Sequence, residues 1–176
     1  MQPRQPVFLL TGRPGTGKTS LIRQSVNGLE ISAGGFYTEE IRHQGTRLGF
    51  RLVTLDGDQA ILAHVDHTKK FRVGKYGVDV DSLERVGVAA LKRAADRYDL
   101  VVVDEIGKME MFSPEFREIV AAIIDSGKRL LGTVLLDSHP WADTIKRRPQ
   151  VTLITVTRAN YTQVREELRT WLSYPT

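Results

Sequence analysis

The chain contains no cysteine, which excludes a cystine framework, a thiol nucleophile and a zinc-thiolate site together. Long apolar runs are missing as well. The first ten residues hold only four consecutive apolar positions, too few for a secretory leader, and no later run approaches the roughly 20 residues that span a bilayer. Histidine is scarce, and His43, His64, His67 and His139 lie scattered without metal-ligand spacing. There is no internal repeat, low-complexity segment or linker-like stretch. Arg and Lys are dispersed except for Lys146-Arg147-Arg148, so the Arg-rich stripes and aromatic-interleaved basic surfaces that bind nucleic acid are lacking. These absences predict a soluble, cytoplasmic protein with no membrane partner. At 176 residues the chain is expected to form one domain over 1–176, long enough to bury most of its unfolded surface around a single core.

What is present begins with Gly12-Arg13-Pro14-Gly15-Thr16-Gly17-Lys18-Thr19, which fits the phosphate-loop pattern Gly-x-x-x-x-Gly-Lys-[Ser/Thr] at every position. It follows the apolar run Val7-Phe8-Leu9-Leu10, short enough to be a buried strand, and precedes Leu21 to Val26, whose paired apolar positions suit a helix stopped by Asn27-Gly28. Without side chains at Gly12, Gly15 and Gly17 the backbone can wrap phosphate oxygens with its N–H groups, and the helix beginning there adds its positive dipole. Lys18 is then expected on the β- and γ-phosphates, and the Thr19 hydroxyl on a bridging magnesium ion. The net charge of +4 fits such a polyanionic nucleotide substrate; nucleic acid also fits it, but the dispersal of the basic residues favours the nucleotide.

The second chemical element is Leu100-Val101-Val102-Val103 followed by Asp104-Glu105. An all-apolar run suits a central parallel strand covered on both faces, and open α/β sheets bind ligands where such strands end. Asp104 is expected to hold magnesium, and Glu105 to orient or deprotonate an attacking water. Beyond it, Lys108 can reach either the phosphates or a surface acid. The segment from His139 through Lys146-Arg147-Arg148-Pro149 is either a basic lid, with Arg148 as an arginine finger supplied in cis, or a solvated charge run.

The remaining elements follow from pattern. Phe36 to Arg42, a turn at His43-Gln44-Gly45-Thr46, and the alternating Arg47 to Leu52 read as a hairpin, with Gln59 to Ala63 returning as a further antiparallel strand. This places a small β insertion at one edge of an otherwise parallel sheet. Arg72 to Asp79 reads as a short strand or loop. A helix capped by Asp81, with Glu84 three positions on, runs to about residue 97. Ser113-Pro114-Glu115 opens a helix that Gly127 stops, Arg129 to Leu136 and Val151 to Val156 are strands, and Asn160 with Gln163 forms a capping box for the last helix. Met109, Met111 and Phe112 read as core contacts.

Taken together, the phosphate loop, Gly35-Phe36-Tyr37-Thr38-Glu39-Glu40, Gly45-Thr46-Arg47-Leu48-Gly49-Phe50, Arg72-Val73-Gly74-Lys75-Tyr76, Asp104-Glu105-Ile106-Gly107-Lys108-Met109-Glu110, Leu131-Gly132-Thr133 and the basic Ile145 to Arg148 stretch resemble the nucleoside-triphosphatases first described from thermophiles, called cancer-related nucleoside-triphosphatases in animals. The resemblance spans nearly the whole chain. It implies an α/β, three-layer phosphate-loop fold with a RecA-like, mostly parallel sheet, and magnesium-dependent hydrolysis of nucleoside triphosphates with little discrimination among bases. By matching position, Lys18, Thr19, Asp104 and Glu105 take the family's phosphate, metal and water-activating roles. Where the family usually reads Asn-Arg before the last helix, this chain has Asn160-Tyr161, with Asn160 expected beside the nucleotide; the departure bears on base preference rather than on hydrolysis. A small-molecule kinase, which would place an acceptor hydroxyl where water sits, and a nucleotide-switched binding module are the alternatives. Nothing in the sequence speaks to oligomeric state.

Overall fold

In the computed structural model, which describes residues 5–174, nine strands form one sheet in the order β5-β6-β4-β3-β2-β7-β8-β1-β9. Residues 1–4, 175 and 176, which the domain range and the reading of the leading residues include, lie outside the described residues. The parallel part comprises β2 (Ala33–His43), β7 (Leu100–Ile106), β8 (Arg129–Val134), β1 (Val7–Thr11) and β9 (Val151–Thr155). Each of its strands β1, β7 and β8 is buried along almost its full length, as continuous apolar runs require when helices cover both faces.

The alternation of side chains divides the core. Val7, Leu9, Val101 and Val103 face one layer, under Leu83, Leu91, Phe116, Val120 and Ile145. Phe8, Leu10, Leu100 and Val102 face the other, against Leu21, Ile22, Val164 and Leu168. The first cover is built from α2 (Val80–Ser82), α3 (Ala89–Arg97), α4 (Pro114–Asp125) and α5 (Pro140–Lys146), the second from α1 (Lys18–Val26) and α6 (Tyr161–Ser173). The result is the three-layer α/β sandwich that the sequence predicts. No helix among the described residues is long and apolar enough to cross a membrane.

The insertion is larger than its sequence pattern suggests. Strand β2 pairs in parallel with β7 through Ala33–Tyr37 and antiparallel with β3 (Thr46–Thr54). From β3 the chain returns as β4 (Gln59–His64), and Arg72 to Asp79 resolves into a tight hairpin, β5 (Arg72–Val73) and β6 (Tyr76–Val78). The first hairpin turns through Gln44 and Gly45, both at positive φ (47° and 79°), the geometry a two-residue hairpin prefers.

The cap of the helix after the insertion differs from expectation. Asp79, not Asp81, opens α2, its carboxylate accepting the Ser82 N–H at 2.9 Å. The helical path then continues through a π-helical stretch, Leu83–Val88, into α3. One extra residue per turn there leaves Val86 half-buried while Gly87 and Val88 are buried. Glu84 is therefore not a capping partner; it accepts the Ser113 hydroxyl at 2.6 Å instead. Ser113 does cap α4, accepting the Phe116 N–H at 3.0 Å.

Candidate active site

Strand β1 delivers the phosphate loop and β7 delivers the acids, with β8 between them. Both strand ends open on the same side because the three strands are parallel. Two neighbouring interstrand spacings separate the loop from the acids by roughly 10 Å, room for phosphoryl groups and a water between them.

The loop backbone is tightly enclosed. A methyl group on Gly12, at φ 144°, would meet the Val156 carbonyl at 2.5 Å, and one on Gly17 would meet the Tyr161 ring at 2.7 Å. Thr16 donates its hydroxyl to the Arg13 carbonyl at 3.0 Å, closing the turn that contains Pro14 and Gly15. Lys18 donates to the Gly12 and Arg13 carbonyls at 2.8 and 3.0 Å, so its ammonium lies across the mouth of the loop.

Asp104 is buried, and burial raises its proton affinity; the Thr133 hydrogen bond, the neighbouring Thr19 hydroxyl and the charges of Arg23 and Lys18 work in the opposite direction. Thr133 on β8 donates to Asp104 Oδ1 at 2.6 Å, and Thr38 on β2 donates to the Asp104 backbone carbonyl at 2.8 Å. Asp104 Oδ2 is buried without a hydrogen-bond partner. A buried carboxylate oxygen is costly unless a partner meets it, and Thr19 is a near neighbour of this carboxyl. A carboxylate oxygen and a hydroxyl fit magnesium, which takes one or two protein ligands and completes its shell with water and substrate phosphates.

Glu105 follows Asp104 through a cis peptide bond, where the β7–β8 ladder breaks register between Val103 and Ile106. Burial raises its proton affinity and the charge of Asp104 adds to this, while the nearby Lys18 lowers it. The structure thus gathers Lys18, Thr19, Asp104 and Glu105 at one end of the parallel strands.

Other expected site residues are placed differently. Lys108 pairs with the exposed Asp137 at 3.2 Å, the surface-acid outcome. Arg148 is a correction: it pairs with Asp125 at the end of α4 and donates to the Ala121 carbonyl. It precedes Val151, which pairs with Val7 at the start of β1, whereas the phosphate loop leaves the other end of that strand about 13 Å away. The structure therefore does not bring Arg148 to the loop. Lys146 folds back onto the Leu136 and Asp137 carbonyls, and α5 is packed down by the buried Ala142 and Ile145. Asn160 forms no capping box, since Gln163 bonds Glu167 at 2.8 Å. Its side chain instead ties Thr155 and Thr157 together at 2.8 Å each, shaping the turn that lays Tyr161 on Gly17.

Sequence reasoning passed over several members of the site. Thr133 is a hydroxyl in a strand that is apolar after Arg129, which was the available signal. Thr38, in the Phe-Tyr-Thr-Glu-Glu stretch, pins Asp104. Arg23, on α1, stacks on Tyr37 at 4.8 Å and pairs with Glu39, tying the loop helix to β2. Among the described residues, no group of three or more His, Cys, Asp or Glu side chains converges as a metal cage.

The family model described as NTPase matches residues 7–169. The chain is 45% identical over 167 residues to nucleoside-triphosphatase THEP1 of Thermotoga sp. (strain RQ2), covering 95% of each protein. It is 37% identical to the cancer-related nucleoside-triphosphatase homolog of Mus musculus, over 86% of this chain and 88% of the mouse protein. Among solved structures, THEP1 from Aquifex aeolicus superposes with a TM-score of 0.87 at 35% identity, over 96% of this chain and 99% of that one.

Proposed function

The chain belongs to the NTPase family whose model it matches over residues 7–169, and from that premise we propose that it hydrolyses nucleoside 5′-triphosphates, several bases included, to nucleoside diphosphate and phosphate with the help of magnesium. The observation that carries the reading is the buried Asp104 oxygen left without a partner, with Thr19, Lys18 and Glu105 close to the same carboxyl. In this reading the loop N–H groups and Lys18 bind the β- and γ-phosphates. Thr19 and Asp104 would hold magnesium, which when bound neutralises charge on the phosphate oxygens.

Glu105 accepts the proton of the attacking water. The water oxygen forms the new bond to the γ-phosphorus as the bond to the β-phosphate oxygen breaks, and the diphosphate leaves with the electron pair. The raised proton affinity of Glu105, caused first by burial and then by Asp104, suits a carboxylate that must take a proton near neutral pH. Thr133 and Thr38 hold Asp104 in place, so the metal side of the site is fixed before substrate arrives. We place this activity in the cytoplasm, consistent with a cysteine-free chain.

The test is phosphate release from ATP, GTP, CTP and UTP with magnesium and no added acceptor, for the parent and Glu105→Gln side by side. Turnover should fall by about a hundredfold or more in the variant, the size expected for a lost general base, with nucleotide affinity nearly intact. Equal turnover would remove Glu105 from the role of base. Tight nucleotide binding without phosphate release would turn the reading toward phosphoryl transfer to an acceptor.

A further inference from the structure

A second acid stands behind Glu105, and hydrolysis as described gives it no task. Glu110 lies in a 3₁₀ turn, Glu110–Phe112, just past β7. It is only 4% exposed. Its Oε2 accepts the Gly107 N–H at 3.2 Å. A methyl carbon built on Gly107 would lie 2.6 Å from Glu105 Oε1 and 2.8 Å from Glu110 Oε2, so the two carboxyl groups converge on the same small volume over Gly107. Burying a carboxyl this completely is costly, and packing alone would be served better by an apolar side chain of similar size.

The Gly107 N–H is taken by Glu110, while Glu105 Oε1 lies against the same residue. A flexible Glu105 side chain offered that donor would turn back toward its own chain and away from the phosphate loop. We propose that Glu110 is a positioning residue for Glu105: by occupying the Gly107 N–H and packing beside the Glu105 carboxyl, Glu110 keeps that carboxyl from bonding its own backbone and leaves it available to the phosphate loop. The inference rests on the reading of Glu105 as the base. Burial, with the charge of Glu105 as the next cause, pushes the Glu110 carboxyl up to about 8. It holds its proton more tightly than a free carboxyl does, and a neutral amide of the same length can stand in for the protonated form.

Three variants separate the possibilities: Glu110→Gln keeps a neutral acceptor of the same length, Glu110→Asp is one methylene too short to reach Gly107, and Glu110→Leu fills the volume without an acceptor. Each is made in the parent and in the Glu105→Gln background. kcat and KM are read by phosphate release and folding is checked by thermal melting. Glu110→Gln should retain kcat within about threefold, whereas Glu110→Asp and Glu110→Leu should lower it about tenfold or more with KM little changed, the scale of a misplaced catalytic group. Because Glu110 acts through Glu105, those losses should vanish in the Glu105→Gln background. Equal losses in both backgrounds, a KM rise that accounts for the loss, or a Glu110→Gln enzyme as slow as Glu110→Leu would overturn the proposal. Should Glu110→Leu fail to fold, the Gln and Asp variants decide. Failure of the base assignment is read separately, from Glu105→Gln alone.

Discussion

The acid cluster at the end of β7 should make the nucleotide-free protein less stable as pH rises from about 5 to 9, opposite to the trend of a fold held by surface ion pairs. Glu110 ionises around 4.5 when unfolded and is pushed up to about 8 when folded. A raised folded value means that the native state holds the proton more tightly. Its contribution to stability is complete below about 4.5 and is lost as pH climbs through 8. The full shift corresponds to something near 5 kcal/mol; because Glu105 and Glu110 share their repulsion, about 2–4 kcal/mol is the more realistic loss. Asp104 and Glu105, also raised by burial, act in the same direction. Glu39, Glu40, Asp56 and Asp79 are lowered; their stabilisation is present above about 4 and lost only on acidification, so it does not cancel the effect. Tyr37, raised by burial from 10, enters only above that value. Thermal melts without nucleotide or metal should fall by roughly 5–15 °C between pH 5 and pH 9, and Glu110→Gln should flatten most of that slope. A parent that is equally or more stable at pH 9, or a Glu110→Gln variant with the same decline, would refute the reasoning.

Thr133→Val removes the 2.6 Å hydrogen bond to Asp104 with little change of volume. The magnesium concentration for half-maximal turnover should rise about tenfold to a hundredfold, the usual effect of losing a ligand's supporting partner; a magnesium titration that overlays the parent's would deny Thr133 that role. Arg148→Ala should leave kcat within about twofold and cost about 1 kcal/mol, as expected for a partly exposed ion pair; a thousandfold loss in phosphate release would restore the finger. Ser113→Ala deletes both the cap on α4 and the donor to Glu84, and should lower unfolding free energy by about 1–3 kcal/mol in urea titrations, with KM for nucleotide unchanged.

The phosphate loop and the acid pair were legible because each is a contiguous pattern on one element, and the hairpin at Gln44-Gly45 because turn chemistry is local. What escaped depends on contacts distant in sequence. Asp81 and Glu84 match a capping box as well as any pair, yet Asp79 opens the helix and Glu84 answers to Ser113, 29 residues away. Thr133 meets Asp104 across the same separation. Arg148 lies in a run that reads as basic wherever it is placed, and its pairing with Asp125 on α4 shows that it belongs to the opposite end of the parallel strands. Lys108 had two outcomes in the sequence, and the presence of Asp137 selects one.

The phosphate loop is written in residues 12–19, but its housing comes from the other end of the chain. Val156 closes on Thr11 at 2.7 Å, Tyr161 lies against Gly17, and Trp171 donates to the Gln5 carbonyl at 3.0 Å. During synthesis, a polypeptide that has emerged only as far as β8 already carries every residue assigned to phosphate, metal and water, but not the outer strand and last helix that wall the loop. Nucleotide capture on the ribosome must therefore wait until α6 has emerged, and a product terminated before β9 would carry the signature motif without a formed cradle.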